Sequence, residues 1–469
     1  MTASHLSAGT APASPAPSAG GPPAPAAGER RRVVVVGLGV SGRAAAAHLR
    51  RDGAEVVAVD DAPTPAVRQA AAALGLELVE APDPTRLGRL VAGADEVVVS
   101  PGVPASHPLF AVAGGVPLIG EVELGWRRSR VPTVAITGTN GKTTVVTLVT
   151  AMLQASGIAA VAAGNIGLPL VEAAGGDAEV LVAEVSSFQL ALTRCFRPAV
   201  GAWLNFSPDH LDWHPTVEHY RQAKARLWAQ SGPGDVAVAN GEDPVVAAAA
   251  ATAAGRGATV VHFGLSHGQW RVHQGRLVGP GEETVAGVDE LPRRLPHDLA
   301  DALCALATAR AAGASVEGCR RALLDFEGLP HRVQLVGEAR GVRYYDDSKA
   351  TTPGAVLAAL EGFDSAVLIA GGRNKGLDLA VLGQAGRRLR AVVAIGEAAA
   401  EVRAAFAGVC PVTEAGSMPE AVQLAADAAK PGDAVLLSPA CASFDWYRSY
   451  GERGDDFARC VAAVVGAGS

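Results

Sequence analysis

Three consecutive α/β domains are the fold class this sequence predicts, and three observations predict it. Short β-branched strands alternate with alanine-rich helical stretches along most of the chain. Two glycine-rich loops, Gly37–Gly42 and Gly138–Thr144, each lie between such a strand and a helical stretch. The alternation then restarts after Gly328-Leu329-Pro330. Strand–helix alternation implies mostly parallel sheets, with functional loops gathered at the strand C-termini. At 469 residues the chain accommodates roughly two to four hydrophobic cores of ordinary size.

Residues 1–28 are mostly Ala, Pro, Ser and Gly with almost no charge, which predicts a disordered tail. No basic stretch leads there into a continuous apolar run, so a signal peptide fits poorly. Residues 29–120 form the first predicted domain. Arg31 to Val36 reads as a strand, Gly37-Leu38-Gly39-Val40-Ser41-Gly42 as its turn, and an alanine-rich helix ends near Gly53. Glu55 to Val59 delivers Asp60, and Glu96 to Val99 runs into Ser100-Pro101-Gly102. This is a doubly wound, Rossmann-like unit.

The second domain, residues 121–328, opens its alternation at Pro132. Thr133 to Ile136 leads into Gly138-Thr139-Asn140-Gly141-Lys142-Thr143-Thr144 and a helix to Gln154, as in a P-loop ATPase. Glu179 to Ala183 ends at Glu184, and Ala199 to Leu204 precedes Ser207-Pro208-Asp209-His210. Residues 255–295 are rich in Gly and Pro and resist assignment. In the third domain, residues 329–469, strands Val367 to Ala370, Ala391 to Ile395 and Ala434 to Leu437 alternate with helices. It reads as a second Rossmann-like unit.

A net charge of -7 and a pI near 5.9 argue against a nucleic-acid-binding surface. The six cysteines (195, 304, 319, 410, 441 and 460) include no C-x-x-C pair, which disfavours a zinc ribbon and suits a reduced cytoplasmic setting. No apolar run reaches the roughly 18 residues of a membrane span. A soluble cytoplasmic protein without membrane insertion is expected.

Five lysines stand against thirty-five arginines, and four fall in polar or glycine-rich segments or on a helix face: Lys142, Lys224, Lys349 and Lys375. Arginine serves wherever a solvated charge is enough. It cannot replace a compact ammonium beside a phosphate, nor an amine that must lose its proton. Composition bias explains the arginines but not where the exceptions fall.

Each motif has a bland alternative. With 55 glycines, the bare G-x-G-x-x-G pattern is expected about once by chance. The strand before Gly37, the helix after Gly42 and the acid at Asp60 suit a diphosphate on a helix N-terminus, without identifying the nucleotide; NAD is one candidate. The second loop is more specific. Its amides wrap phosphates, Lys142 meets the terminal ones, and the Thr143 hydroxyl suits Mg²⁺, although Ile136 stands where the usual first glycine would be. Glu184 and His210 follow apolar strands and are expected at the same edge; ordinary surface groups are the alternative. Lys224 shares a helical stripe with Tyr220, Leu227 and Trp228, where a lysine either snorkels outward or is desolvated towards a neutral amine. The segments Asp346-Asp347-Ser348-Lys349-Ala350-Thr351, Gly371-Gly372-Arg373-Asn374-Lys375-Gly376 and Ser438 to Asp445 suit an anionic ligand or are simply polar turns. Cys441 reads as packing.

Taken together, these segments resemble the Mur ligase family, ATP-dependent enzymes that form amide bonds in peptidoglycan precursors. The resemblance runs from about residue 30 to the C-terminus. It is most specific in Gly164-Asn165-Ile166-Gly167, in Glu184-Val185-Ser186-Ser187-Phe188-Gln189-Leu190, and in Ser438 to Asp445 followed by Gly451-Glu452-Arg453-Gly454-Asp455. These point to the branch that adds D-glutamate to UDP-N-acetylmuramoyl-L-alanine through an acyl phosphate. The resemblance implies catalytic roles for Lys142, Glu184, His210 and Lys224. It implies ATP binding by Gly138, Thr139, Asn140, Gly141, Lys142, Thr143, Thr144, His331, Arg332 and Asp347.

The UDP-substrate would meet Gly37, Gly39, Ser41, Gly42, Asp60, Ser100, Gly102 and, at the muramoyl part, Asn165. D-Glutamate would meet Lys349, Thr351, Lys375, Ser443, Phe444 and Tyr450. Two Mg²⁺ ions would be served by Thr143 and Glu184, and by His210 and a carbamylated Lys224. The implied partners are these small molecules alone, on a monomer that closes about Gly328-Leu329-Pro330.

Two departures stand out. His297-Asp298-Leu299-Ala300-Asp301 replaces the family's usual asparagine pair, and carboxylates cannot donate as amides do, which puts nucleotide contacts there in question. Ala62 stands where some relatives have an arginine near the uridine. Among rival readings, an NAD-dependent oxidoreductase leaves Lys142 idle, and a nucleotide sensor leaves Glu184, His210 and Lys224 unexplained. The lack of a four-cysteine cluster weighs against an amidating relative.

Overall fold

Runs of valine too apolar to face water on either side set the first sheet. Val33 to Val36 are almost wholly buried, the signature of a parallel strand covered on both faces. In the computed structural model, which describes residues 30–467, this strand is β1 (Arg32–Val36). The predicted tail, 1–28, lies outside the described residues. With β2 (Glu55–Asp60), β3 (Glu77–Glu80), β4 (Glu96–Val99) and β5 (Leu118–Gly120) it forms an all-parallel sheet, order β3-β2-β1-β4-β5. Strand order reverses at β1, so the turns after β1 and β4 flank a crevice.

The second sheet is also all parallel. It comprises β6 (Thr133–Thr137), β7 (Ala160–Gly164), β8 (Val180–Glu184), β9 (Val200–Trp203), β10 (Val236–Asn240) and β11 (Thr259–Phe263), in the order β11-β10-β9-β6-β8-β7. The unassigned stretch 255–295 carries β11 and then a small antiparallel sheet of β12 (Arg271–His273), β13 (Arg276–Val278) and β14 (Thr284–Gly287). The third large sheet holds β15 (Gln334–Ala339), β16 (Val342–Asp346), β17 (Ala366–Gly371), β18 (Leu389–Ile395), β19 (Val412–Ala415) and β20 (Ala434–Ala440). Its order is β15-β16-β20-β17-β18-β19, parallel except for the β15–β16 hairpin. The predicted succession of α/β layers is borne out. Among the described residues no helix is long and apolar enough to cross a membrane.

By internal contacts the chain forms two units. One gathers the described residues up to Phe206 with Trp213–Glu290 and Asp301–Asp325; the other gathers Ser207–Asp212, Leu291–Ala300 and the described residues from Phe326 on. Within the first unit, the helix Glu121–Arg128 joins the two parallel sheets through buried acids. Glu123 accepts from the backbone N–H groups of Arg194 (2.9 Å) and Phe196 (3.0 Å) and from the guanidinium of Arg127 (2.8 Å). Such a carboxylate is stabilised by what it accepts.

Glu121 is less well served. It is 1% exposed, accepts from Val171 N–H at 2.6 Å through one oxygen, and leaves the other buried without a partner among the described residues. Burial pushes its carboxyl up to about 7, against the lowering effect of the Val171 N–H. A raised carboxyl favours the folded state below about pH 4.5, and that advantage is lost as pH rises towards 7. Glu121→Gln is therefore expected to match the wild type near pH 5 and to exceed it at pH 8 by on the order of 3 kcal/mol. Thermal unfolding of both proteins at the two pH values checks this; an equal difference at both removes the charge from the explanation.

Candidate active site

β6, β8 and β9 are neighbours, so the loops leaving their C-terminal ends meet. The loop after β6 turns at Gly141, whose left-handed φ of 82° suits glycine, and enters the helix Lys142–Ala155. No side chain caps that helix, and its first N–H groups face the loop, ready for an anion. Thr143 and Thr144 form its half-buried first turn. Asn205, just past β9, holds the loop in shape. Its Oδ1 accepts from Thr139 N (3.0 Å) and Asn140 N (2.9 Å), and its Nδ2 donates to Asn140 O (3.3 Å).

Two lysines converge on this loop. Lys142 Nζ donates to Gly138 O (2.8 Å) and Thr139 O (2.9 Å). Lys224 Nζ donates to the same Gly138 O at 2.7 Å and lies 4.8 Å over the Tyr220 ring. Lys224 belongs to the helix Val217–Ala225, which passes into a 3₁₀ turn at Arg226–Trp228 where the sequence suggested a continuous helix. It is 1% exposed, so it does not snorkel outward.

Glu184 closes β8, in register with Ile136 of β6, and is 2% exposed. Its Oε1 accepts from Asn165 Nδ2 at 2.8 Å; its Oε2 is buried with no hydrogen-bond partner among the described residues. A buried carboxylate oxygen in that condition calls for a cation or a donor. The turn beyond it is fixed by a capping box, in which Gln189 Oε1 accepts from Ser186 N (2.9 Å) and Ser186 Oγ from Gln189 N (3.3 Å). Among the described residues no three His, Cys, Asp or Glu side chains cluster to hold a metal by themselves. One carboxylate completed by phosphate oxygens and water is how Mg²⁺ is ordinarily held, so the donor set fits that ion.

In the first sheet, Gly37, Gly39, Ser41, Asp60, Ser100 and Gly102 line one cleft of about 400 Å³. Asp60 also shapes the glycine turn: Oδ2 accepts from Leu38 N (2.9 Å) and Oδ1 from Ala62 N (3.2 Å). Ser100 Oγ donates to Gly37 O at 2.6 Å. Gly42 stands behind the turn, and Asn165 is placed with Glu184 and outside the cleft lining. The sequence reading missed Asp61 and His107 in the same cleft. His107 Nδ1 accepts from Leu109 N (3.0 Å), so Nε2 carries the proton it gives to Asp61 at 2.8 Å.

In the second unit the ends of β16, β20 and β17 lie side by side and bring three predicted segments together. Ala440 N donates to Ala350 O (2.9 Å), and Arg373 and Ala442 exchange backbone hydrogen bonds (2.8 and 3.0 Å). Lys375, Thr351 and the buried Ser443 therefore share one sheet edge. Lys349 Nζ lies 3.9 Å over the ring of Tyr450, which is partly exposed, as is Phe444. Arg453, 1% exposed, secures this edge by donating to Ser348 Oγ (2.9 Å), Ser348 O (2.8 Å) and Cys441 O (3.2 Å). Burial lowers its guanidinium to about 10. Cys441 is packing, its thiol pushed up to about 12 by burial.

His331, at φ 60°, shares a 2.6 Å hydrogen bond with Asp346, and its neighbour Arg332 gives a backbone carbonyl to Arg293 (3.0 Å). Asp347 is buried behind the edge, accepting from Ser438 Oγ (2.7 Å) and Val333 N (3.3 Å); desolvation pushes it up to about 7. Asp298 is met by a guanidinium, Arg293 Nη2 at 2.8 Å. His210 falls in the segment Ser207–Asp212 of this unit, at φ 56° and with Nε2 3.3 Å from Asp209 Oδ2. In the first unit, Asp301 lies so close to Gly141 that a Cβ there would collide with its carboxylate.

Comparison with known proteins agrees with these sheets. Residues 31–120 match the Mur ligase MurD-like N-terminal domain, 136–287 the Mur ligase middle domain, and 331–441 the Mur ligase glutamate ligase domain. The chain is 42% identical over 455 residues to the UDP-N-acetylmuramoylalanine–D-glutamate ligase of Pelotomaculum thermopropionicum, covering 93% of this chain and 98% of that one. It is 44% identical over 456 residues to the protein of the same name from Frankia casuarinae, covering 92% and 94%. Among solved structures, a pseudomurein peptide ligase type C from Methanothermus fervidus shares the fold, at a TM-score of 0.59 and 17% identity over 93% of this chain and all of that one.

The glycine turn of the first cleft makes a discriminating test. An added Cβ at Gly42 would collide with Gly37 O and lie 2.7 Å from Ser100 Oγ, whereas one at Gly39 meets nothing within 4 Å. Gly42→Ala is expected to cost about 2 kcal/mol, and Gly39→Ala about 0.5 kcal/mol or less. Denaturant unfolding of the two variants measures the difference, and equal stabilities would contradict the close approach.

Proposed function

We propose, for a chain that belongs to the Mur ligase family, ATP-dependent addition of D-glutamate to UDP-N-acetylmuramoyl-L-alanine through an acyl phosphate, releasing ADP and phosphate, in the synthesis of peptidoglycan precursors. The observation that carries this reading is identity above 40% across almost the full length of relatives bearing that activity in their names. The substrates are small molecules, and the reading includes a monomer acting in the cytoplasm. Residues 29–120 hold the UDP-substrate, 121–328 hold ATP, and 329–469 hold D-glutamate and part of the ATP.

The chemistry follows from what a free carboxylate lacks. It is a poor electrophile, so ATP first converts the alanine carboxylate to an acyl phosphate, with ADP leaving. Lys142, already folded against Gly138 and Thr139, brings its ammonium to the terminal phosphates. The N-terminus of the helix Lys142–Ala155 offers its N–H groups to the same anion. Mg²⁺, two ions in this reading, would be held by Thr143 and Glu184 and by His210 and a carbamylated Lys224, and would offset charge on the transferring phosphoryl group. Oε2 of Glu184, buried with no hydrogen-bond partner among the described residues, supports the first of these two sites.

Gly37, Gly39, Ser41, Gly42, Asp60, Ser100 and Gly102 would hold the UDP, and Asn165 the muramoyl part. His331, Arg332 and Asp347 would serve ATP, and Lys349, Thr351, Lys375, Ser443, Phe444 and Tyr450 the amino acid. Lys349 and Lys375 would pair its two carboxylates and orient its amine for attack on the acyl carbon. Breakdown of the tetrahedral adduct then expels phosphate.

Two outcomes are expected. In a phosphate-release assay with UDP-N-acetylmuramoyl-L-alanine and ATP, D-glutamate should stimulate turnover at least about 100-fold more than L-glutamate or meso-diaminopimelate, because a wrong ligand leaves polar groups unmatched. Equal turnover with diaminopimelate would transfer the chain to a sister activity. For Lys224, Lys224→Arg keeps a charge but cannot form a carbamate, so activity should fall about 100-fold, in the range of lost charge-stabilising groups. Lys224→Ala should be partly restored by added short carboxylic acids. Full activity of Lys224→Arg would exclude the carbamate.

A further inference from the structure

A buried histidine that none of the foregoing roles uses stands between the first cleft and the phosphate loop. His214 is 0% exposed, and both its ring nitrogens are engaged: Nε2 shares a hydrogen bond with Ser187 Oγ and Nδ1 one with His219 Nδ1, each at 2.9 Å. Rings pack on it from three sides. Phe188 is stacked nearly parallel at 5.6 Å, Trp213 stands edge-on at 4.6 Å, and Tyr220 lies at 5.1 Å. Phe188 and Trp213 also contact each other at 5.2 Å. Close-packed rings with fixed hydrogen bonds transmit displacement, because neither can yield without breaking the other.

The two ends of this cluster lie at two different places. Trp213 Nε1 donates to Val103 O at 3.0 Å, and Val103 lines the first cleft beside Ser100 and Gly102. Tyr220 shares a 3.2 Å hydrogen bond between its hydroxyl and Thr139 Oγ1, inside the phosphate loop, and its ring underlies Lys224 Nζ. Ser187, held by His214, sits three residues beyond Glu184 in the capped turn. A contiguous set of contacts therefore runs from the rim of one ligand cleft to the loop, the lysine and the acid of the other.

We infer that Trp213, His214 and Tyr220 are positioning residues that couple occupancy of the sugar-nucleotide cleft to nucleotide binding at the phosphate loop. The inference rests on the reaction proposed above. A ligand that orders the rim at Ser100–Val103 draws on the indole, and the histidine hub passes that order to Thr139 through the Tyr220 hydroxyl. Lys224 and Glu184 are aligned at the same time, so phosphoryl transfer is favoured only when an acceptor carboxylate is present. In energetic terms each ligand lowers the ordering cost left for the other, and the effect is equal in both directions.

The test is calorimetry of ADP binding with and without saturating UDP-N-acetylmuramoyl-L-alanine, and of the converse titration. Four proteins are compared: wild type, Trp213→Phe, Tyr220→Phe and His214→Phe. Wild type should show each ligand tightening the other by about 5-fold or more, with the same factor in both orders. Trp213→Phe, which keeps a ring but loses the indole N–H, should bind ADP alone as wild type does and lose the coupling to less than about 2-fold. Tyr220→Phe, whose lost hydroxyl sits at the nucleotide loop itself, should bind the UDP-substrate alone normally and lose the coupling to less than about 2-fold, whatever its affinity for ADP alone. A merely structural role would weaken single-ligand affinities and leave the coupling factor intact. That result, or no coupling in a wild type that binds both ligands, overturns the inference. Failure of wild type to bind the UDP-substrate at all would instead strike the proposed reaction. If His214→Phe does not fold, as thermal unfolding will show, the two conservative variants still decide the matter.

Discussion

One carbonyl oxygen governs the chemistry of the first unit. Gly138 O accepts from the ammonium groups of both Lys142 and Lys224, at 2.8 and 2.7 Å. Two cations drawn to one atom repel each other, and with Lys224 almost wholly buried, water does little to screen them. The arrangement makes sense if anions complete it: phosphate oxygens at Lys142, and for Lys224 either loss of its charge or conversion to an anion. A guanidinium could do neither. It is too broad to share the oxygen and cannot be deprotonated in a protein. In a chain that otherwise prefers arginine by seven to one, both positions hold lysine.

Holding that carbonyl in place is what the surrounding architecture accomplishes. β6 lies between β8 and β9, so the loop, Glu184 and Asn205 all leave the same sheet edge. Asn205 takes up the N–H groups of Thr139 and Asn140 on one side, while Tyr220 meets the Thr139 hydroxyl on the other. Glu184 supplies a negative charge in register with β6, and its Oε2 is buried with no hydrogen-bond partner among the described residues.

Most of the fold was legible because parallel strands buried on both faces leave continuous apolar runs, and the glycine loops punctuate them. Of the strands the sequence reading did not name, β7 and β10 are parallel and buried or half-buried, but short and alanine-rich, so their apolar runs are weak. Others lack the signature altogether. β12 and β13 are three residues long, and β15 is the half-exposed outer member of a hairpin, with Leu335 and Glu338 facing outward. The site was legible where a motif carries its own chemistry. It was opaque where a side chain acts by gripping backbone, as Asn205, Arg453 and Glu123 do, because such grips have no periodicity. Lys224 shows the limit most clearly. Helical spacing gave its face correctly, but spacing cannot say how deep a face lies, and depth separates a snorkelling lysine from a desolvated one.

Depth and pairing also explain how the second unit accommodates an acid where an amide was expected. Asp298 cannot donate, and an isolated carboxylate at 9% side-chain exposure would be costly. Arg293 removes that cost by giving two hydrogen bonds to Asp298 Oδ1, at 3.1 and 2.8 Å, while Leu295 N binds the other oxygen at 3.1 Å. The same guanidinium reaches the carbonyls of Arg332 and Val333, at 3.0 and 2.9 Å, next to His331. Donors that an asparagine would have offered to a ligand are thus replaced by a charge pair turned towards the chain's own backbone. The pair thereby ties the start of the helix Pro296–Ala311 to the backbone of the 332–333 segment.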